Sequence, residues 1–154
     1  MYTILQDSSG FDVRMLPGKR YWKGVMNAKE DLEEMLFAQQ LCDLASKLHA
    51  DPRLERAWRL IETGFSDPGM SLDDAGRGSG TAKNHLNVLL RRTTTFTFYQ
   101  LLIRYRLYAA ILMMKSSERN LLDIALENGF GSLTTFERNF RAVIGCTPQS
   151  FKKA

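Results

Sequence analysis

Residues 120–145, NLLDIALENGFGSLTTFERNFRAVIG, decide the fold that this sequence predicts. Apolar residues recur at helical spacing on both sides of Gly129, and a glycine at that point suits the left-handed conformation that ends a helix. Ser132 is a good N-cap for a second helix, whose Phe136 and Phe140 are spaced to face inward. Two helices joined by a tight glycine turn form a helix-turn-helix.

The second of these helices, from Ser132 to Gly145, presents polar side chains opposite its aromatic stripe. An arginine can donate two hydrogen bonds to a guanine edge, and a threonine can contact a thymine methyl group or a phosphate. We therefore interpret this helix as one that reads the major groove of DNA. Any helical hairpin also turns polar residues to solvent, so a purely structural role is the alternative. The residues concerned are Thr134, Thr135, Arg138 and Arg141.

The rest of the chain after residue 50 is also predicted to be helical. Short segments with apolar residues at helical spacing follow one another, and no strand pattern separates them. Six or seven helices are expected, which indicates an all-α domain over residues 51–154. Their predicted starts are Asp51-Pro52, Ser71 with Asp74, Thr97 with Gln100, Asn120 with Asp123, and Thr147-Pro148.

Residues 1–50 form a different kind of segment. Short stretches within residues 1–26 are predicted to be weak strands joined by turns, and a long helix is predicted over residues 28–49. One face of this helix is apolar, so it can pair with a second chain as a homodimer or pack on its own domain. The apolar face consists of Leu32, Met35, Leu36, Leu44 and Leu48.

Composition excludes several classes of protein. No run approaches the roughly 18 apolar residues of a membrane span, and no secretory signal is visible, so a cytoplasmic protein without membrane contact is expected. Residues 1–50 carry 6 Lys/Arg and 7 Asp/Glu, whereas residues 51–154 carry 15 and 10, so the basic balance belongs to the helical part. A basic domain is compatible with DNA binding. No catalytic constellation, metal site or cofactor motif is present, and we predict a protein that is not an enzyme.

The sequence resembles the AraC/XylS family of transcription regulators from about Leu54 to Lys152. The match is spaced over a long stretch, which makes it more specific than a generic helix-turn-helix. It consists of Ile124-Ala125, Gly129-Phe130, Ser132, Phe136, Arg138-Asn139-Phe140-Arg141, and Gly145-Cys146-Thr147-Pro148 with Phe151.

The resemblance implies a seven-helix domain with two helix-turn-helix motifs, here about residues 71–95 and 120–145. A long helix from Phe98 to about Met114 would join them and set their recognition helices into successive major grooves of double-stranded DNA. It also implies recruitment or blocking of RNA polymerase. The groove-facing residues that it marks are Leu133, Thr134, Thr135 and Arg138 in the second motif, and Lys83, Asn84, Asn87 and Val88 in the first.

The first motif departs from the family pattern. Gly76 stands where the family usually has alanine, Ala82 replaces the capping serine, Val88 replaces a frequent arginine, and Thr95 replaces the usual glycine. An interior glycine and a lost cap each cost about 1 kcal/mol. We therefore expect the helix from Ser132 to be the dominant reader. The alternatives are that the first motif is only a packing helix, or that the whole chain is a protein-interaction module or anti-regulator of the same fold.

Overall fold

The computed structural model describes residues 29–153, with side chains described for residues 34–152. Eight helices and no strand occupy this part of the chain, so the predicted mainly α fold, with seven helices after residue 50, is confirmed. The weak strands predicted within residues 1–26 lie outside the described residues. The helices are α1 (Lys29–His49), α2 (Pro52–Gly64), α3 (Leu72–Ser79), α4 (Lys83–Thr94), α5 (Phe98–Ser116), α6 (Leu121–Glu127), α7 (Leu133–Ile144) and α8 (Pro148–Lys153).

Helix α1 packs on the chain's own domain, against α2, α4 and α5. Leu41, Leu44 and Leu48 are buried in that contact, whereas Leu36 remains 52% exposed. The Glu34 carboxylate also pairs with Lys115 on α5. The sequence allowed α1 to pack either on a second chain or on its own domain, and Leu44 and Leu48 pack on its own domain. A homodimer through these two leucines would have to break that intramolecular contact.

Helix α5 joins the two helix-turn-helix motifs. It begins at a capping box, in which the Thr97 hydroxyl accepts from the Gln100 N–H at 3.2 Å and the Gln100 side chain accepts from the Thr97 N–H at 2.9 Å. Its 19 residues make it about 28 Å long at 1.5 Å per residue. Helices α1 and α2 contact it in the first half of the molecule (α1–α4), and α6 and α7 contact it in the second half (α6–α8).

The two halves share one apolar core along α5. Trp58 and Tyr105 meet edge to face with ring centroids 5.7 Å apart, and Phe65 lies on Tyr105 at 5.0 Å. The same buried cluster continues to Phe140 and Phe151 in the second half. Within residues 29–153 no helix combines the length and apolarity that a membrane crossing requires.

Candidate nucleic-acid interface

The second helix-turn-helix is built from α6 and α7. Asn120 caps α6, since its side-chain oxygen accepts from the Asp123 N–H at 2.9 Å. The turn is closed by Gly129, whose φ is 85°, and by two backbone bonds, Gly129 N–H to Leu126 O at 3.2 Å and Phe130 N–H to Ala125 O at 3.0 Å. These two bonds satisfy carbonyls at the end of α6, whose last residue is Glu127, and Gly129 adopts the left-handed conformation predicted for it.

A line of aromatic rings holds α7 in place. The Ser132 hydroxyl caps the helix by accepting from the Thr135 N–H at 3.1 Å. Phe136 and Phe140 are fully buried, and successive ring centroids from Phe130 through Phe136 and Phe140 to Phe151 lie 5.1, 5.6 and 5.5 Å apart. Such tilted and edge-to-face pairs add to the stabilisation from burial. The orientation of α7 is therefore fixed by the core, and its opposite face is left to solvent.

Three of the five residues predicted for that opposite face are exposed there: Thr134, Arg138 and Arg141. Among the described residues neither arginine has an ion-pair partner. Leu133 and Thr135 are half-buried; Leu133 packs on the core, and the Thr135 hydroxyl accepts from the Ser132 hydroxyl at 3.0 Å. The arginines can therefore bind an outside acceptor without first breaking an internal contact.

The first helix-turn-helix, α3 and α4, closes its turn with the same two bonds. Gly80 has a φ of 72°; its N–H bonds Arg77 O at 3.3 Å, and the Thr81 N–H bonds Gly76 O at 3.0 Å. A capping box between Ser71 and Asp74 begins α3, as predicted. The turn is one residue shorter than in the second motif, because only two residues separate Gly80 from α4 whereas three separate Gly129 from α7.

The shorter turn explains Gly76, which from sequence alone is an unfavourable interior glycine of α3. A Cβ at this position would lie 2.9 Å from the Thr81 carbonyl oxygen and 3.2 Å from the Lys83 nitrogen. Both neighbours are backbone atoms, which cannot move aside as a side-chain end can. The expected cost of an interior glycine is thus offset by the close approach of the turn, and alanine here would be the less favourable residue.

The ends of α4 do show the weaknesses predicted from sequence. No side chain caps its N-terminus at Ala82. Thr81 does not substitute, because its hydroxyl is buried without a hydrogen-bond partner in the described part of the chain. At the other end Thr95 adopts a φ of 70°, which is unfavourable for a β-branched residue. Helix α4 is therefore held mainly by burial of Leu86 and Leu90.

Among the residues predicted for the outer face of α4, Asn87 has a hydrogen-bond partner within the chain. Its side-chain oxygen accepts a hydrogen bond from the Phe98 N–H at 2.9 Å, so this short amide turns toward the start of α5 and caps it. The Asn87 oxygen is thus used within the chain, and the groove-facing role of Asn87 stays a prediction that depends on its amide N–H groups. Asn84 is exposed, Val88 is 44% exposed, and Lys83 pairs with Asp73 at 2.9 Å on the surface.

One exposed residue of this face, His85, is not among those predicted from sequence. Helices α4 and α7 are both 12 residues long, so Val88 corresponds to Arg138 and His85 corresponds to Thr135. His85 is exposed on α4. An alignment of the two recognition helices with each other, starting from their caps, would have identified it.

Comparison with known proteins identifies the family. A family model described as a helix-turn-helix domain matches residues 75–154. A solved transcriptional regulator from Chromobacterium violaceum, described as an AraC-type DNA-binding domain-containing protein, has a TM-score of 0.62 at 24% identity and covers 66% of this chain and 90% of that one. The chain belongs to the AraC/XylS family.

The chain spans different shares of the lengths of its relatives. It is 30% identical to the regulatory protein SoxS of Salmonella typhimurium over 86 residues, 56% of this chain and 80% of SoxS. It is 26% identical to the HTH-type regulator YkgA of Escherichia coli over 99 residues, 64% of this chain but only 41% of YkgA. The DNA-binding domain of AdpA, solved in complex with a target DNA, has a TM-score of 0.60 at 19% identity, with 67% of this chain and 91% of that domain covered. Members of this family are transcription regulators, which gives no indication of enzymatic activity.

Proposed function

We propose that the chain is a sequence-specific transcription regulator that binds double-stranded DNA, mainly through α7. The observation that carries the proposal is the outer face of α7, where Arg138 and Arg141 are exposed and have no ion-pair partner among the described residues, while the opposite face is fixed in the core. Family membership and the resemblance to a DNA-bound AdpA domain support the same function.

Each side chain of this face has a distinct role in the proposal. Arg138 donates two hydrogen bonds to O6 and N7 of a guanine, which is the commonest specific contact in a major groove. Thr134 contacts a thymine methyl group, and Arg141, one turn further along, binds a phosphate. Leu133 and Thr135, half-buried at the start of α7, contribute their outer methyl groups.

Helix α4 has the weaker part in DNA binding. Asn84 can bond an adenine edge, and Val88 offers only an apolar contact where α7 has Arg138. Lys83 can exchange Asp73 for a phosphate, since an exposed ion pair is worth no more than about 1 kcal/mol. We add His85 to this face. Asn87 can contribute to it only through its amide N–H groups, because its oxygen is bonded to the Phe98 N–H.

The proposal also names partners and a place of action. RNA polymerase is the expected protein partner, and a homodimer through residues 28–49 stays a prediction in which the exposed Leu36 is the accessible apolar residue. Access to DNA implies the cytoplasmic location expected from sequence. The proposed activity is binding and involves no catalysis, cofactor or metal.

The experiment that tests the proposal is selection of bound sequences from a random DNA pool, followed by anisotropy titration of variants. Arg138→Ala should lose about 1–3 kcal/mol of binding free energy and relax the preference at one base pair. Arg141→Ala is the matched control, because loss of a phosphate contact weakens binding to all sequences equally and lowers the salt slope by about one unit. Retained base preference in Arg138→Ala would contradict the role of Arg138.

A second candidate function is a protein-interaction module or anti-regulator of the same fold. The uncapped N-terminus of α4 and the apolar Val88 at a reader position favour it. The same selection separates the two functions, because an interaction module gives no recoverable consensus at either low or moderate salt, whereas a specific regulator does.

A further inference from the structure

Arg106, in the middle of α5, is an unusual buried charge. Only 4% of the residue is exposed, although arginine is rarely buried without partners. Its Nε donates to the Phe65 carbonyl oxygen at 2.7 Å, and its Nη2 donates to the Asp67 carbonyl oxygen at 2.7 Å. Both acceptors lie in the connection between α2 and α3, so the guanidinium binds the loop that leads into the first helix-turn-helix.

The turn of the second helix-turn-helix lies directly on this contact. A Cβ added to Gly129 would be 2.3 Å from the Phe65 carbonyl oxygen and 2.8 Å from the Arg106 Nε, that is, on both atoms of one hydrogen bond. Gly129 thus has two reasons to be glycine, its φ of 85° and this close approach. Arg106 is therefore the point at which the loop before α3 and the turn before α7 meet.

The guanidinium of Arg106 suits a rigid contact between the α2–α3 loop and the turn at Gly129, which we call the joint. A guanidinium is planar and presents its N–H groups in a fixed fork, so two short bonds to carbonyls two residues apart define its orientation. Burial lowers the pKa of Arg106, while the negative charge of Asp67 opposes that shift. A lysine can keep the charge at this position but not the forked pair of bonds.

We propose that Arg106 is a positioning residue, which locks the second helix-turn-helix against the first half of the molecule and so fixes the separation of α4 and α7 on DNA. This inference rests on the proposed function. Two recognition helices on a rigid frame bind a two-part site far more tightly than one part alone, because the second contact forms without a search. Loosening the joint reduces this advantage and leaves the contact of α7 itself intact.

The test compares Arg106→Lys and Arg106→Met with wild type on two DNA duplexes. The first is the site that wild type selects from a random pool. The second keeps the half of that site that contains the base pair whose preference disappears in Arg138→Ala, and scrambles the other half. Arg104→Met is the matched control on the same helix, since the Arg104 guanidinium lies over the Phe96 ring at 4.0 Å and takes no part in the joint. Circular dichroism melts give the folded fraction of each variant for correction.

We expect wild type and Arg104→Met to bind the first duplex, which carries the full site, on the order of 100-fold more tightly than the scrambled duplex. Both Arg106 variants should bind the full duplex only about tenfold more tightly, or less. Affinity of the Arg106 variants for the scrambled duplex should equal that of wild type. In the free protein, amide exchange at residues 129–132 should accelerate in Arg106→Lys more than in Arg104→Met.

Three results would overturn the inference. Wild type could show no preference for the full duplex; the Arg106 variants could keep the full preference; or they could lose affinity for both duplexes by one factor after correction for folding, as a merely structural residue would. Failure to recover any sequence with wild type is distinct from these, because it removes the proposed DNA-reading function itself.

Discussion

The turns of the two helix-turn-helix motifs are closed by equivalent backbone hydrogen bonds, yet the recognition helices that follow are supported differently. Helix α7 has a serine cap, a chain of aromatic rings beneath it and a glycine at its end. Helix α4 has no side-chain cap, two leucines beneath it and Thr95 in a left-handed conformation at its end. The backbone path of the motif thus persists where the side chains that usually stabilise it are absent.

The largest expected difference concerns the two turn glycines. Gly129→Ala should destabilise the fold by about 2–5 kcal/mol, because a left-handed alanine costs about 1–2 kcal/mol and the forced contact with the Phe65 carbonyl adds about 1–3. Gly80→Ala meets only open space and should cost about 1–2 kcal/mol. Chemical denaturation of both variants measures the difference. Equal losses would contradict the packing of Gly129 on the first half.

The second expected difference concerns the side chains that α4 and α7 present to DNA. Val88→Arg places on α4 the side chain that α7 has at Arg138, and it should tighten binding to a reselected site by about 1–3 kcal/mol. Val88→Leu keeps an apolar side chain and is the matched control. Anisotropy titrations decide the outcome. Unchanged affinity in Val88→Arg would show that α4 lies away from the bases, which would favour a packing role for the first motif.

Local chemistry made much of the fold predictable from sequence. The boxes at Ser71 and Thr97 and the cap at Ser132 each involve residues three positions apart, so the pattern alone contains the whole interaction. The seven helices and the aromatic stripe of α7 follow for the same reason.

Tertiary contacts set the limit of that prediction. The bond from the Phe98 N–H to the Asn87 oxygen depends on how α4 meets α5, which the sequence pattern of α4 does not contain. Gly76 suggests a defect until the short turn is seen to approach it. The role of Arg106 depends on residues about 40 positions before it, which no local pattern connects.

The caps of the two recognition helices provide a smaller, reciprocal prediction. Ser132→Ala should lower the free energy of unfolding by about 1 kcal/mol, because the Thr135 N–H loses its acceptor. Ala82→Ser should raise it by up to about 1 kcal/mol by offering the equivalent acceptor to the His85 N–H. Thermal melts at one pH measure both. If Ala82→Ser is no more stable than wild type, the short turn before α4 prevents a serine there from capping the helix.

The smallest expected effect lies at the ends of the same helices. Thr95→Gly removes the strain of a left-handed β-branched residue, about 1–2 kcal/mol, but glycine also gains about 0.4–1 kcal/mol of freedom in the unfolded chain. The net gain should therefore be about 0.5–1 kcal/mol. Thr95→Asn separates the two contributions, because asparagine tolerates the conformation without the entropy of glycine and should stabilise at least as much. If both variants are less stable than wild type, Thr95 makes a favourable contribution that outweighs its backbone strain, and the weakness of the first motif lies at Ala82 alone.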